Sequence, residues 1–369
     1  MIYFNYFLTV VIYKKRIKII ELNIHGAYKM KIYDLRSDTI TKPSEAMRKA
    51  IYNAECGDDV YMEDPTVNKL QEMAADITGK EKAIFVSSGT MGNLIPMLIL
   101  GRKTRQVLLE EESHLIHYEL GGVSSLAGII PLPVKAKRGI LTKDIIKNYL
   151  NEQPYYMSSV NIVEIENTHN RHGGSVYPIE VLKELHNFTK SKNIHLHMDG
   201  ARVFNASIAS KSAVKEIASN TDSITFCLSK GLGAPMGAMI CADKNFIDEA
   251  FRIRKLIGGG MRQIGLMAAA GIYALENNIS SLEEDHQKAK KIAKTIIESG
   301  MGSINLEDVE TNIVIADTKE LSSVIIEKLS EKGIKASSFG DYKIRFVTHR
   351  DISMEEIEEV CEIIKNFKI

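Results

Sequence analysis

Short apolar runs recur along this chain, each closed by small or polar residues and followed by a segment of helical period. The clearest are Lys82–Val86, Val107–Leu109, Ile129–Val134, Asn161–Ile165, His195–Asp199 and the run from Thr225 that ends in Ser229-Lys230-Gly231. Helical segments lie between them. One opens at Pro43 and reaches about Glu55, and a second opens at Pro65 and stops at Gly79. Others run up to Leu100, follow Ser113, start at Lys143 and extend from Pro178 to Lys190. This alternation predicts an α/β fold, a mostly parallel sheet with helices on both faces. Ligands bind such sheets at the carboxyl ends of the strands. Ser88, His114, Asn167, Asp199 and Lys230 all fall at or just after strand ends, where one shared site would form.

Beyond Glu249–Lys255, which reads as helix, three glycines (Gly258–Gly260) interrupt the pattern before an apolar helix that ends near Leu275. From Ser281 the composition turns to charged helix. A strand at Asn312–Ala316, a helix near Leu321–Lys332, a strand at Lys343–Val347 and a last helix follow. The last helix opens with Ser353 and Glu356 at capping-box spacing. The 369 residues are too many for one ordinary core. We expect an N-terminal extension (1–33), a large domain (34–275) and a smaller C-terminal α+β domain (276–369). Met1–Tyr13 is apolar, but its positive charges, Lys14 to Arg16, follow the run instead of preceding it. The run is also shorter than the ~20 residues a membrane span needs. The expectation is that the working protein begins at Met30; the alternative reading of the segment before it is a weak membrane-surface segment.

Composition narrows the function. Hydrophobic content is 44%, charged content 25% and formal net charge zero, so no basic surface points to nucleic acid and nothing points to a membrane. The four cysteines, Cys56, Cys227, Cys241 and Cys361, are dispersed, with no Cys/His set at zinc spacing. We therefore expect a reduced, cytoplasmic setting and no bound metal; Cys227 reads as a small core residue. No carboxylate cluster argues for a structural cation beside Thr39 and Thr41.

Lys230 is the residue that suggests chemistry. A lysine placed after a buried strand has its charged form disfavoured and its pKa lowered, the condition for a nucleophilic amine. Asp199 ends an earlier strand, with Arg202 three residues on. Pyridoxal 5'-phosphate (PLP) chemistry needs a lysine for the Schiff base and an acid for the ring nitrogen, and these two strand ends supply both. The turn Ser87–Asn93 between a strand and a helix has the form of an anion site. It lacks a P-loop lysine and G-x-G-x-x-G spacing, which favours one phosphate monoester over a nucleoside triphosphate or a dinucleotide.

The motifs D-L-R-S-D-T-I-T (34–41), G-D-D-V-Y (57–61), S-G-T-M-G-N (88–93), S-H (113–114), E-N-T-H-N (166–170), D-G-A-R-V-F-N-A (199–206), C-L-S-K-G-L (227–232), G-G-G-M-R-Q (258–263) and R-F-V-T-H (345–349) run in one order from Asp34 to the C-terminal region. In this the chain resembles the low-specificity threonine aldolases, PLP enzymes of fold type I. The resemblance implies retro-aldol cleavage of L-threonine or L-allo-threonine to glycine and acetaldehyde, in glycine biosynthesis and threonine catabolism. It implies that Lys230 carries the cofactor, that Asp199 faces the ring nitrogen and that His114 stacks on the ring. Ser88, Gly89 and Thr90 would cradle the phosphate, and Arg262 would reach a neighbouring subunit's phosphate region. Ser37, Arg202 and Arg345 would hold the substrate carboxylate, with Arg202 also near the cofactor. Tyr61 and Tyr118 match residues near the site. It implies a homotetramer, a dimer of dimers with sites at the subunit interface.

The general base is expected at His114, with His169 and His117 as weaker candidates. His117 and the pair Arg171-His172 depart from the family's common pattern and are read as bordering the pocket for the substrate β-carbon. The loop at Asp58, Asp59 and Tyr61 reads equally as a site loop or a solvated turn. Three alternatives stay open: a PLP β-eliminating lyase, a PLP-binding homologue without turnover and, weakest, a dinucleotide enzyme.

Overall fold

The computed structural model describes residues 30–101, 106–151 and 153–367. The reading of the first 29 residues lies outside the described residues. Among the described residues twelve strands form: β1 Tyr33–Asp34, β2 Lys82–Val86, β3 Gln106–Glu110, β4 Ile130–Val134, β5 Val160–Glu166, β6 His195–Asp199, β7 Ser223–Cys227, β8 Ala238–Ala242, β9 Ile313–Asp317, β10 Ile334–Lys335, β11 Ser337–Ser338 and β12 Lys343–Val347. Seven of them make the central sheet, in the order β2-β8-β7-β6-β5-β3-β4. Its pairs are parallel except those of β8, which runs antiparallel to β2 and β7.

Both faces of this sheet are covered. Phe85 and Met239 point into one core with Leu70 and Ala74 of the helix Pro65–Thr78. Their strand neighbours Ile84, Val86 and Ile240 point into another with Ile95, Phe246 and Ile247. Period-2 side-chain alternation with both faces buried produces the continuous apolar runs seen in the sequence.

β8 is the strand that the pattern missed. Gly233 (φ +77°) and Gly237 (φ +105°) let the chain reverse after β7 and re-enter the sheet. A Cβ on Gly237 would lie 2.5 Å from Phe85 Cε2, so only glycine permits this approach.

The helix expected to open at Pro43 starts two residues later. Ser44 is its cap, with Oγ accepting the Met47 N–H at 3.2 Å, and the helix spans Glu45–Tyr52. Pro65 does take the first helical position, under Asp64 as cap, and Gly79 closes that helix at φ +65°.

The C-terminal part builds its own core around the antiparallel sheet β11-β12-β9 and the helices Leu282–Ser299 and Met354–Lys365. Tyr33 and Leu35 belong to this core; β1 pairs with β10, and the Val347 N–H donates to Leu35 O at 2.8 Å. The segment after Leu35 is thereby delivered to the carboxyl ends of the central strands. Ser353 and Glu356 form the reciprocal capping box read from the sequence. Ser353→Ala is expected to cost about 1 kcal/mol of stability, read as a lower urea midpoint at unchanged slope.

Candidate active site

A cavity of about 500 Å³ opens at the carboxyl ends of β2, β6 and β7. One end is the start of the helix Gly89–Leu100. Ser88 caps it, its Oγ accepting the Met91 N–H at 3.1 Å, and the first-turn N–H groups lack intrahelical acceptors. Two glycines allow that helix to lie on β7. A Cβ on Gly89 would sit 2.8 Å from Cys227 Sγ, and one on Gly92 would sit 2.5 Å from Thr225 Cγ2. Thr225 Oγ1 donates to Gly92 O at 2.9 Å and locks the contact. Ser88, Gly89 and Thr90 all line the cavity, as the anion-site reading requires.

Lys230 and Asp199 line the same cavity. Lys230 Nζ donates to Cys227 Sγ at 3.2 Å, and its carbonyl accepts from Thr41 Oγ1 at 2.6 Å. Its backbone is left-handed, φ +69°, a conformation that costs a non-glycine residue about 1–2 kcal/mol and is concentrated at functional sites. One expectation is met and one changes here. Cys227 is a buried core residue, as read from the sequence, and it is also the immediate neighbour of the amine. The amine's pKa is not depressed by the protein's own groups. Desolvation and Arg202 lower it, but the Cys227 sulfur and the carboxylates of Asp199 and Asp38 outweigh them and raise it overall.

Asp199 is buried and ionised. Burial works against its charge, but His114 and Lys230, with hydrogen bonds from Ala201 and Asn93, bring its pKa below the usual range. The Asn93 amide nitrogen donates to Asp199 Oδ2 at 2.8 Å and to Glu119 Oε1 at 2.9 Å. His114 Nδ1 meets the same Glu119 oxygen at 2.9 Å. Burial lowers the His114 pKa, but Glu119, Asp199 and Glu166 outweigh it and raise it above 6.5. Its backbone N–H donates to Glu166 Oε2 at 3.0 Å, which fixes the start of its short helix. Asn93, Glu119 and Glu166 therefore orient Asp199 and His114. Asn93 and Glu166 stand inside quoted motifs; Glu119 stood in none.

On the opposite wall lie Ser37, Arg202 and Arg345. Arg202 is buried, its fork closed on Asp38 by Nε–Oδ2 at 2.7 Å and Nη2–Oδ1 at 2.6 Å. Asn312 Nδ2 donates to the same carboxylate at 3.1 Å. Arg345, from β12, donates to Asn170 Oδ1 at 2.9 Å and to Arg36 O at 3.1 Å, and its buried Nε has no partner. Burial and the Arg202 charge push the Arg345 guanidinium down to about 10. An anion in this cavity would relieve both effects.

Several expected residues lie elsewhere. Asn167 is buried outside the cavity, while Glu166 and Asn170 on either side of it line the wall. His117 is partly exposed with Nε2 on Glu111 O at 3.1 Å, and His169 is buried behind the wall. Neither lines the cavity, and neither Arg171 nor His172 borders it. Arg171 reaches it only through Tyr118, donating to the phenol oxygen at 2.9 Å. The loop at Asp58 and Asp59 is neither open turn nor cavity wall. Asp59 is buried against Arg254 at 2.7 Å, and Asp58 binds Arg262 at 2.8 Å. Within its own chain Arg262 does not line the cavity, and its guanidinium lies over the exposed Tyr61 ring.

Fold and site together define a fold-type-I PLP enzyme. The model of the family described as "Beta-eliminating lyase" matches residues 34–320. The chain is 41% identical over 332 residues to the low-specificity L-threonine aldolase of Escherichia coli (strain K12), spanning 89% of this chain and 97% of that one. It is 41% identical over 335 residues to the probable low-specificity L-threonine aldolase 2 of Arabidopsis thaliana, spanning 89% and 94%. A Leishmania major threonine aldolase structure superposes with TM-score 0.76 at 18% identity, covering 90% of this chain and 99% of that one. The chain belongs to the beta-eliminating lyase family and, within it, to the threonine aldolases.

The cavity fits PLP on its own terms. It joins unpaired helix N–H groups, an ionised buried carboxylate and a lysine amine, and Asn93 Oδ1 in its wall has no hydrogen-bond partner.

Proposed function

We propose that this protein cleaves L-threonine or L-allo-threonine to glycine and acetaldehyde with PLP as cofactor. The observation that carries the reading is the placement of Lys230, Asp199 and the start of the helix Gly89–Leu100 around one cavity. Lys230 would hold the cofactor's aldehyde carbon, Asp199 its ring nitrogen, and Ser88, Gly89 and Thr90 its phosphate. When bound, PLP supplies an electron sink for the bonding pair of a broken carbon–carbon bond.

The chain's residues choose which bond that is. Arg202 and Arg345, with Ser37, grip the substrate carboxylate, and planar guanidinium forks fix its orientation better than lysines would. Asp38 holds the Arg202 fork against turning. A carboxylate fixed in this way would hold the substrate in one orientation, so that the residues of the cavity select which bond at Cα is broken. Nδ1 of His114 is engaged by Glu119, which leaves Nε2 to take the β-hydroxyl proton.

As a base, His114 must be neutral. With its pKa raised above 6.5, turnover is expected to fall as pH drops through that raised value. His114→Phe is expected to cut kcat by roughly 10²–10⁴-fold and to erase this acid limb. Full turnover in the variant would remove His114 from the mechanism. With threonine as substrate, equimolar glycine and acetaldehyde are expected. A keto acid with ammonia would instead identify a β-eliminating lyase.

We further infer a homotetramer built from dimers, with sites at the subunit interface and Arg262 serving a neighbour's site. The exposed side chains of Tyr61 and Leu120 support a partner surface. The two separate cores support a division into a large domain over 34–275 and a small one over 276–369, crossed by Leu35, which packs in the C-terminal core, and Leu282, which packs in the central one. A cytoplasmic location, with a role in glycine formation and threonine breakdown, agrees with the four free cysteines and the substrate. No helix among the described residues is long and apolar enough to cross a membrane.

A further inference from the structure

We propose that Glu110, His169 and His172 form a binding site for a divalent transition-metal ion, with Zn²⁺ as the best match. The site stands one layer behind the cavity wall. Glu110 ends β3, His169 follows β5, and His172 closes the short turn Asn170–His172. Glu110 presents one oxygen to each ring: Oε2 lies 3.2 Å from His169 Nε2, and Oε1 lies 3.3 Å from His172 Nε2. All the donor atoms fall within 4.8 Å of one another. Donors bound tetrahedrally at roughly 2.0 Å from one ion are spaced about 3.3 Å apart, so these separations leave room for one ion between the three side chains.

His169 gives the second, independent observation. It is 1% exposed, and neither ring nitrogen has a hydrogen-bond partner. Nε2 is within reach of the Glu110 oxygen yet out of line for an N–H···O bond. A nitrogen that points beside a carboxylate oxygen, instead of at it, suits two donors aimed at a common third atom. The ring pair is held from outside by Gly139 (φ +72°). A Cβ there would lie 2.4 Å from His169 Cδ2 and 2.7 Å from His172 Cδ2.

Two imidazoles and one carboxylate suit zinc and its first-row neighbours better than calcium or magnesium, which prefer all-oxygen sites. Bound there, the ion would pin the end of β3 to the turn that carries Glu166 and Asn170, the partners of His114 and Arg345. The sequence offered no such reading, because His169 and His172 are three residues apart while Glu110 comes from another strand.

The test uses the full-length protein, stripped with a chelator, dialysed and titrated with ZnCl₂ by calorimetry. Bound metal is counted by plasma mass spectrometry after gel filtration. One zinc per chain is expected, with the affinity lowered tenfold or more in His172→Ala and Glu110→Gln and unchanged in Cys56→Ser, which removes an exposed thiol. Cobalt in place of zinc is expected to give the visible bands of a four-coordinate nitrogen–oxygen site. His172 is partly exposed, so His172→Ala is expected to fold, checked by the colour of bound PLP. The proposal is overturned if wild-type protein holds no zinc above trace, leaving an ion pair only. It is equally overturned if both ligand variants bind zinc as well as wild type does.

Discussion

Lys230→Ala is expected to abolish threonine cleavage, with kcat falling by at least roughly 10³-fold, and to abolish the fixing of PLP to the chain by borohydride. The amine is the nucleophile nearest the cavity floor, 3.2 Å from Cys227 and facing the same space as Asp199. Among the described residues no other lysine lines this cavity. The fold is expected to survive, since Thr41 holds the backbone carbonyl of residue 230 and not its side chain. The loss is therefore chemical and readable apart from stability: an unchanged urea midpoint, no glycine formed and no reduced cofactor on the peptide. Retained cleavage would place the anchor elsewhere. In wild type the same borohydride treatment should mark a single peptide, the one that contains Lys230.

Asp38→Asn is the second large effect, and it acts through Arg202. Asp38 is fully buried and takes both arms of the Arg202 fork, with Asn312 on one oxygen. An amide of the same size leaves a buried guanidinium without its counter-charge. Breaking a buried pair from one side costs about 3–5 kcal/mol. The urea midpoint should fall accordingly, and KM for threonine should rise because Arg202 loses its orientation. A loss below about 1 kcal/mol would show that Asp38 does not hold Arg202.

The pair also has a pH signature. Burial alone would raise the Asp38 pKa, but Arg202 and Lys230 bring it from 3.8 to about 2. A depressed carboxyl stabilises the fold fully above its unfolded pKa. That contribution, about 2 kcal/mol, is lost as pH falls from about 4 through 2. The variant should lack this part of the acid sensitivity.

Much of the site was legible because chemistry-bearing residues cluster at strand ends, and strand ends are visible as closures of apolar runs. Lys230, Asp199, His114 and the Ser88–Thr90 turn all lie around the cavity where that logic put them. The residues that hold them were harder to read. Glu119 and Asp38 look like ordinary acids, and nothing local says that one will face His114 and the other Arg202. His117, Arg171 and His172 were misplaced for a related reason. Closeness in sequence to a site residue says little about which side of a short turn faces the cavity. β8 was hidden by the glycines that make it possible.

The sequence by itself determined most of the longer elements and their order, because apolar period and capping chemistry act over a few residues. It also determined the chemical type of the site, because a lysine and an aspartate that end separate buried strands have few other uses. Only the tertiary structure decided the charge states and the partners. Those depend on which anions and cations stand within a few ångströms across tens to hundreds of residues of chain. Thus Asn93 bridges Asp199 and Glu119, Asp38 fixes Arg202, and Lys230 keeps its proton against desolvation.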